Sequence, residues 1–537
     1  MVVSVTGRAS AHKARAVILI SIDALRADHL GCYGYRLPTS PFLDRLAAQG
    51  VRFRHAYCPS PITLASHHGM FTGLYPAYNT ACVYNELRVD LEADTTVAQR
   101  LSEAGVATAA FVSGLPLTEP FTDGFGFEHF DQELDRPVAT RPGEVRRLGA
   151  DTLAAFLRWL EQQPAQQPFF AFIHLFDTHS PLDIPDPLVR SFDESVTAGQ
   201  SLPLVETHFP GGIPEYALLQ DPPGGAHTGD AYRARYDGAV RYLDSVLQGI
   251  AEALRERGRD QVVWIVTSDH GEALGENGYW CSHSHAATLE QIQVPLLMAG
   301  LPPALRQALL SEQTVVSLLD LCPSILDIFG VEYAANDFQG QSLFRFSGEP
   351  LRRPCVFSHG ATQVAAADER CSLVAGLPTL GWEPVSFRLY LNVREAQAVA
   401  GDSAVSGGAH LNGPLEEFVR DAYAHDPLVR RRPAEAATLE EEQEICRRLA
   451  GLGYVSEGRG PEGTAAESAC LHLPPLDLRP AEAAREQQIT LLYLRKTALI
   501  RDLAKHAENL ERLVANREEQ IAGLRAHGAG LEAQIAV

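Results

Sequence analysis

The run Ala16-Val-Ile-Leu-Ile-Ser-Ile22 stops on Asp23, and far downstream Val262-Val-Trp-Ile-Val-Thr267 stops on Ser268-Asp269-His270-Gly271. Uninterrupted apolar strands suit a parallel sheet buried on both faces. In an open α/β sheet the ligands sit in the crevice beyond the carboxyl ends of the strands. Asp23, Asp269 and His270 are therefore expected to meet there as metal ligands, despite their separation in the chain. A solitary strand-end Asp ordinarily just caps the following helix. Two such ends, the second bearing Asp-His-Gly, point instead to a shared site.

Strand-like and helix-like segments alternate up to about residue 330. Val106 to Val112, Phe169 to Leu175, Val262 to Thr267 and Val294 to Met298 read as strands. Thr39 to Gln49 reads as a helix capped by Thr39 or Ser40, with Pro41 in its first turn. Ala231 to Arg257 and Val315 to Phe329 read as long amphipathic helices, the latter ended by Gly330. The expected fold is a doubly wound, mostly parallel α/β domain over 1–348, with loops over the active-site face between Ser180 and Gly229. A small subdomain with a second sheet follows over 349–425, then a helix and linker over 426–484. In 485–537 the apolar residues Ile489, Tyr493, Ile500, Leu503, Ala507, Leu510, Val514, Ile521, Leu524, Leu531 and Ile535 follow three-four steps broken at Lys496, Arg517 and Gly528. That spacing predicts a coiled-coil helix and a homo- or hetero-oligomeric contact, or else a single amphipathic helix docked on the domain.

With 537 residues the chain exceeds a single compact core. A formal net charge of −22 argues against nucleic acid as a partner. It leaves room for a small anionic ester where a metal reverses the local field. The first apolar run is too short to span a bilayer and has no small-residue cleavage site behind it. Nine cysteines without a CxxC pair fit reduced thiols. Together these features predict a cytoplasmic protein without a membrane span.

Between the two acidic strand ends lies Ser60-Pro-Ile-Thr63-Leu-Ala-Ser66-His67-His68-Gly69. Ser60 or Thr63 alone would read as a helix cap. A helix starting here would also aim its unpaired N–H groups and positive end at whatever binds in front of it. A hydroxyl at that point can be activated by a metal and attack a tetrahedral anion.

Ile20-Ser-Ile-Asp23-Ala-Leu-Arg-Ala-Asp-His-Leu-Gly-Cys-Tyr-Gly-Tyr35, followed by Pro38-Thr-Ser-Pro-Phe-Leu-Asp-Arg-Leu-Ala47, resembles the opening of the sulfatase family within the alkaline phosphatase superfamily. Thr63 to His67 with Thr72 to Pro76, His174 to Pro181, Ser268 to Glu272, Gln293 to Leu297 and Leu449 to Tyr454 resemble its later blocks in order. The likeness covers roughly residues 15 to 455. It implies metal ligation by Asp23, Thr63, Asp269 and His270, with Thr63 as nucleophile. It also implies that His67 stands where the family's signature arginine binds the ester anion, that His179 binds substrate and that His283 assists the leaving group. His285 rivals His283 for that last role, and Asn85 would contact a non-bridging oxygen. Carboxylates plus an imidazole suit Mn²⁺, Zn²⁺ or Mg²⁺ better than Ca²⁺.

Departures from the family pattern are equally informative. Formylglycine-dependent members carry Cys or Ser followed by x-Pro-x-Arg, whereas Thr63, Ala65 and His67 occupy those positions here. Cys58 does not restore the motif, because Ser60 and Ile62 follow it at the decisive steps. A threonine is no precursor of formylglycine, so none is expected. Ala24 replaces a second Asp, and no Lys-x-His follows the Val106 to Val112 strand. The reading is a metal-dependent hydrolase or transferase of phosphate or sulfate esters working through a covalent Thr63 intermediate, on a small molecule, a glycan or a lipid head group. Two alternatives stay open: a true sulfuric ester hydrolase, and an inactive sulfatase-fold scaffold working through its coiled coil.

Overall fold

A computed structural model describes residues 14–76, 95–137 and 145–345, apart from 197–198, 206–210, 285 and 335. It further describes 353–360, 363–376, 387–391 and 409–418, apart from 412 and 416. All of these lie in one compact unit. Asn85, His285, the Leu439 to Leu452 helix and the heptad segment lie outside the described residues.

The apolar runs build a seven-stranded sheet. Its strands are β1 (Ala16–Ile22), β2 (Val51–Arg52), β3 (Ala107–Phe111), β4 (His129–Asp131), β5 (Phe169–Leu175), β6 (Val263–Thr267) and β7 (Leu296–Ala299). They lie in the order β2-β7-β6-β1-β5-β3-β4. β1 is central and parallel to β6 and β5, while β7 runs antiparallel to β6 and to β2. Every residue of β1 is buried. Val17 and Leu19 feed one core, Ile18 and Ile20 the other, as the period of two requires when both faces are covered.

The helices that cover these faces include α1 (Pro41–Gln49), α2 (Thr63–Thr72), α3 (Gly149–Gln162), α4 (Gly229–Glu256) and α5 (Leu321–Phe329). The expected side-chain cap on α1 is absent. Ser40 instead accepts from Gly31 N–H at 2.8 Å, and Asp244 of α4 accepts from Phe42 and Leu43 N–H, both at 2.9 Å. A tertiary carboxylate thus does the work of a local cap.

The expected long helix from Val315 to Phe329 is corrected by the structure. Val315–Ser317 is a strand paired in parallel with His55–Tyr57. Its β-branched valines favour that pairing, and a Ser317/Asp320 capping box then opens a helical turn leading into α5, which ends at Gly330 with φ +66°.

The small second sheet is present. It is an antiparallel meander of β8 (Val356–His359), β9 (Gln363–Ala367), β10 (Cys371–Gly376) and β11 (Phe387–Leu391).

Candidate active site

Register brings the acidic strand ends together. Ser21 of β1 pairs with Thr267 of β6 on one side and with His174 of β5 on the other. Asp23 and Asp269, each two residues further on, therefore emerge at the same level on adjacent strands. Asp23 N–H donates to Leu175 O at 2.8 Å, and Thr178 Oγ1 donates to Asp23 O at 2.5 Å. Beyond Asp23 the backbone turns through Ala24, held at φ +59°. Tyr236 of α4 fastens this turn, accepting from Arg26 N–H at 2.9 Å and donating to Ala24 O at 2.7 Å.

Asp269 is fully buried. Its Oδ1 accepts from His270 N–H at 2.9 Å and Ala24 N–H at 3.2 Å. Among the described residues its Oδ2 accepts no hydrogen bond, and it faces His270 Nε2 at 3.4 Å and His67 Nδ1 at 3.8 Å. His270 Nε2 also lies 3.8 Å from Asp23 Oδ1 and 3.2 Å from Thr63 Oγ1.

Thr63 is the first residue of α2 rather than its cap, because Ile62 occupies the cap position and offers no side-chain bond. The start of α2 is pinned to the site by Ser66 Oγ, which donates to Asp269 O at 2.7 Å. Asp23, Thr63, Asp269 and His270 thus converge.

His67 lies deeper than its expected place at the substrate. Its Nδ1 is 2.8 Å from Thr63 O and its Nε2 2.9 Å from Ser21 Oγ, and the ring is fully buried. Burial pushes its pKa down to about 4 despite the nearby Asp269. Burial likewise takes His174 to about 4, and its Nε2 sits 3.3 Å from Asp23 Oδ2. Both rings are therefore neutral near pH 7, the form that ligates metals.

His179 and His283 border the cluster. The His283 ring stacks on His270 at 4.3 Å, and its Nδ1 is 3.2 Å from Glu272 Oε1. His179 lies with its ring centroid 5.0 Å from that of His283, stacked on Phe176, with Nδ1 2.7 Å from Ser180 O. Cys58 is fully buried, its thiol pushed upward by that burial. A nucleophilic role does not suit it.

The donor set fits a divalent cation. Two buried carboxylates, an Oδ2 that accepts no hydrogen bond among the described residues and neighbouring imidazoles leave negative charge in a low-dielectric site. Ligand atoms of Asp23, Asp269 and His270 all lie within 4.8 Å of one another, as do those of His67, His174 and Asp269.

Residues 15–331 match the description Sulfatase, well over half of the chain. The chain belongs to the sulfatase family. It is 26% identical over 340 residues to the iduronate 2-sulfatase of Mus musculus, a stretch covering 54% of this chain and 60% of that one. The chain thus spans about three fifths of that relative's length. A segment of 96 residues, 17% of this chain and 19% of the relative, is 42% identical to the N-acetylgalactosamine-6-O-sulfatase of Bacteroides thetaiotaomicron. In fold the chain resembles the phosphonate monoester hydrolase of Agrobacterium radiobacter, with a TM-score of 0.56 and 20% identity, over 77% of this chain and 96% of that one. No described helix of the sulfatase-family chain is long and apolar enough to cross a membrane.

No motif in the sequence assigns a role to Ser21, His174, Glu272 or Tyr236. His174 carried the same signal as Asp23, a polar group at the carboxyl end of an apolar strand. Tyr236 carried none, since nothing in a helical tyrosine announces that its hydroxyl closes a distant loop.

Proposed function

We propose that this sulfatase-family chain is a divalent-metal-dependent hydrolase of phosphate or sulfate esters that works through a covalent Thr63 intermediate and turns over phosphate esters faster. The observation that carries it is Thr63 Oγ1 at the start of α2, 3.2 Å from His270 Nε2 and beside two buried carboxylates. Asp23, Asp269, His270 and Thr63 would hold the cation, which supplies positive charge to acidify the Thr63 hydroxyl and neutralise the ester oxygens. Two carboxylates with at least one imidazole favour Mn²⁺, Zn²⁺ or Mg²⁺ over Ca²⁺.

Thr63 Oγ1, its proton released to solvent, attacks the phosphorus or sulfur, the ester bond to the leaving oxygen breaks, and His283 Nε2 gives that oxygen its proton. Glu272, at His283 Nδ1, fixes the tautomer for this role. His179 orients the ester beside His283. The N-terminal amides of α2 favour the developing charge. Water then displaces Thr63 at the bound group and returns a proton to His283. Thr63 lacks the second hydroxyl with which a formylglycine hydrate expels sulfate, so the adduct leaves by in-line displacement, to which phosphoryl groups are suited.

A sulfate ester on a sugar is the second reading, favoured by the likeness to iduronate 2-sulfatase. Steady-state rates on matched aryl phosphate and aryl sulfate esters, with added Mn²⁺, Zn²⁺, Mg²⁺ or Ca²⁺, separate the two. A cation-dependent phosphate preference lost in Thr63→Ala supports the proposal. A sulfate preference lost in the same variant supports the second reading. Equal trace rates in both proteins refute both and favour an inactive scaffold.

A further inference from the structure

Away from the strand-end crevice, the small sheet carries another cluster of ligating side chains. The turn between β9 and β10 closes with Asp368 N–H donating to Cys371 O at 3.0 Å. Asp368 Oδ1 accepts from Arg370 N–H at 2.7 Å and Cys371 N–H at 2.8 Å. This fixes the carboxylate so that Oδ2 faces His410 Nε2 at 2.6 Å, a residue from the short helical turn Ala409–Leu411. The side-chain ligand atoms of Asp368, Cys371 and His410 all lie within 4.8 Å of one another.

We propose that Asp368, Cys371 and His410 form a second divalent-cation site, of zinc type, that clamps the segment carrying His410 onto the small sheet. The site is separate from the crevice at Asp23 and Asp269 and does not rest on the proposed catalytic function.

The ligand chemistry selects the metal. One thiolate, one imidazole and one carboxylate, with a fourth position for water, match tetrahedral zinc and not the all-oxygen shells of Ca²⁺ or Mg²⁺. Metal–ligand distances of about 2.0–2.3 Å place tetrahedral ligand atoms roughly 3.3–3.6 Å apart. The His410–Asp368 contact therefore opens by less than about 1 Å to admit the ion.

Two ligands are rigid and one is adaptable, since Asp368 and Cys371 are buried whereas the His410 side chain is 38% exposed. The Asp368 backbone is also braced by Tyr57, whose hydroxyl donates to its carbonyl at 2.9 Å. Burial, and then the Asp368 carboxylate, push the Cys371 thiol up to about 12. Binding would expel that proton to solvent as the sulfur–metal bond forms, with no change of oxidation state. Arg370, whose guanidinium is 3.8 Å from Asp368 Oδ2 and 67% exposed, can withdraw into water when the cation takes its place. Leu411 is fully buried beside His410. The ion would therefore tie an already anchored segment to the hairpin, across a sequence separation of 42 residues.

Cobalt(II) titration of the full-length protein tests this, because a cobalt-bound thiolate gives an intense near-ultraviolet charge-transfer band that oxygen and imidazole ligands lack. The band is expected in the unsubstituted protein and in Asp269→Asn, which keeps this site while losing a crevice ligand. It should vanish in Cys371→Ser, and zinc content after loading and dialysis should fall by one equivalent per chain. His410→Ala, at an exposed side chain, should weaken cobalt binding at this site by more than about tenfold, since even outer-shell losses cost that much. Absence of the band at saturating cobalt overturns the proposal, as does a band of equal intensity in Cys371→Ser. The three residues would then be a hydrogen-bonded group only. Loss of the band in Asp269→Asn alone would place the thiolate elsewhere and overturn it too.

Discussion

Replacing Tyr236 by Phe removes one hydroxyl and tests how the Asp23 turn is held. That hydroxyl is the partner of two backbone groups, Ala24 O and Arg26 N–H, at 2.7 and 2.9 Å. Tyr236 is 1% exposed, so no water replaces it without rearrangement. Each buried group left unsatisfied costs about 1–3 kcal/mol, and two together cost ~2–6 kcal/mol. For the compact unit spanning Met1–Asp426, an unfolding entropy of ~2.1 cal/mol/K per residue amounts to about 0.9 kcal/mol/K. The thermal midpoint should therefore fall by about 2–7 °C. Because Asp23 immediately precedes the loosened turn, cation affinity should fall as well. Differential scanning calorimetry and a chelator competition read the two effects. A midpoint within about 0.5 °C of the parent, with unchanged affinity, would show that the turn is held by contacts other than Tyr236.

Three further outcomes are expected. A Cβ on Gly271 would stand 2.1 Å from Glu290 O, so Gly271→Ala should displace the adjacent His270 and weaken cation binding by about tenfold or more, measured by chelator competition. Arg353 grips the buried Asp320 carboxylate with bonds of 2.7 and 2.8 Å, and Arg353→Ala should cost about 3–5 kcal/mol, read as a lower midpoint in calorimetry. Burial lowers His68 from 6.5 to about 3, so unfolding takes up a proton below pH 6.5 that the folded chain refuses. This contribution is intact above pH 6.5 and lost as pH falls, by about 2 kcal/mol at pH 5, and His68→Phe should flatten that part of the stability profile.

The strand-end carboxylates were legible because a buried parallel strand has one place to put a charge, its carboxyl end. Asp23, Asp269 and His270 meet for that reason, and the order of the motifs carried the fold. Thr63 was legible as a hydroxyl at a helix start, although its position inside the first turn was not. The antiparallel direction of β7 and the strand Val315–Ser317 depend on partners far away in the chain, β6 and His55–Tyr57, which local periodicity cannot supply. The depth of His67 escaped for a similar reason. Its contacts with Ser21 and Thr63 arise where α2 meets β1, whereas the family pattern implies a place at the substrate. Asp244 capping α1 from α4 shows the same limit, since the local sequence offered Thr39 and Ser40.

The covalent role proposed for Thr63 is most directly tested by mass spectrometry of the protein quenched during incubation with an activated aryl phosphate, followed by peptide mapping. One phosphoryl group is expected on Thr63, formed only with the divalent cation present and absent from Thr63→Ala. Turnover that is rapid with no adduct on Thr63, or an adduct that persists in Thr63→Ala, would contradict it.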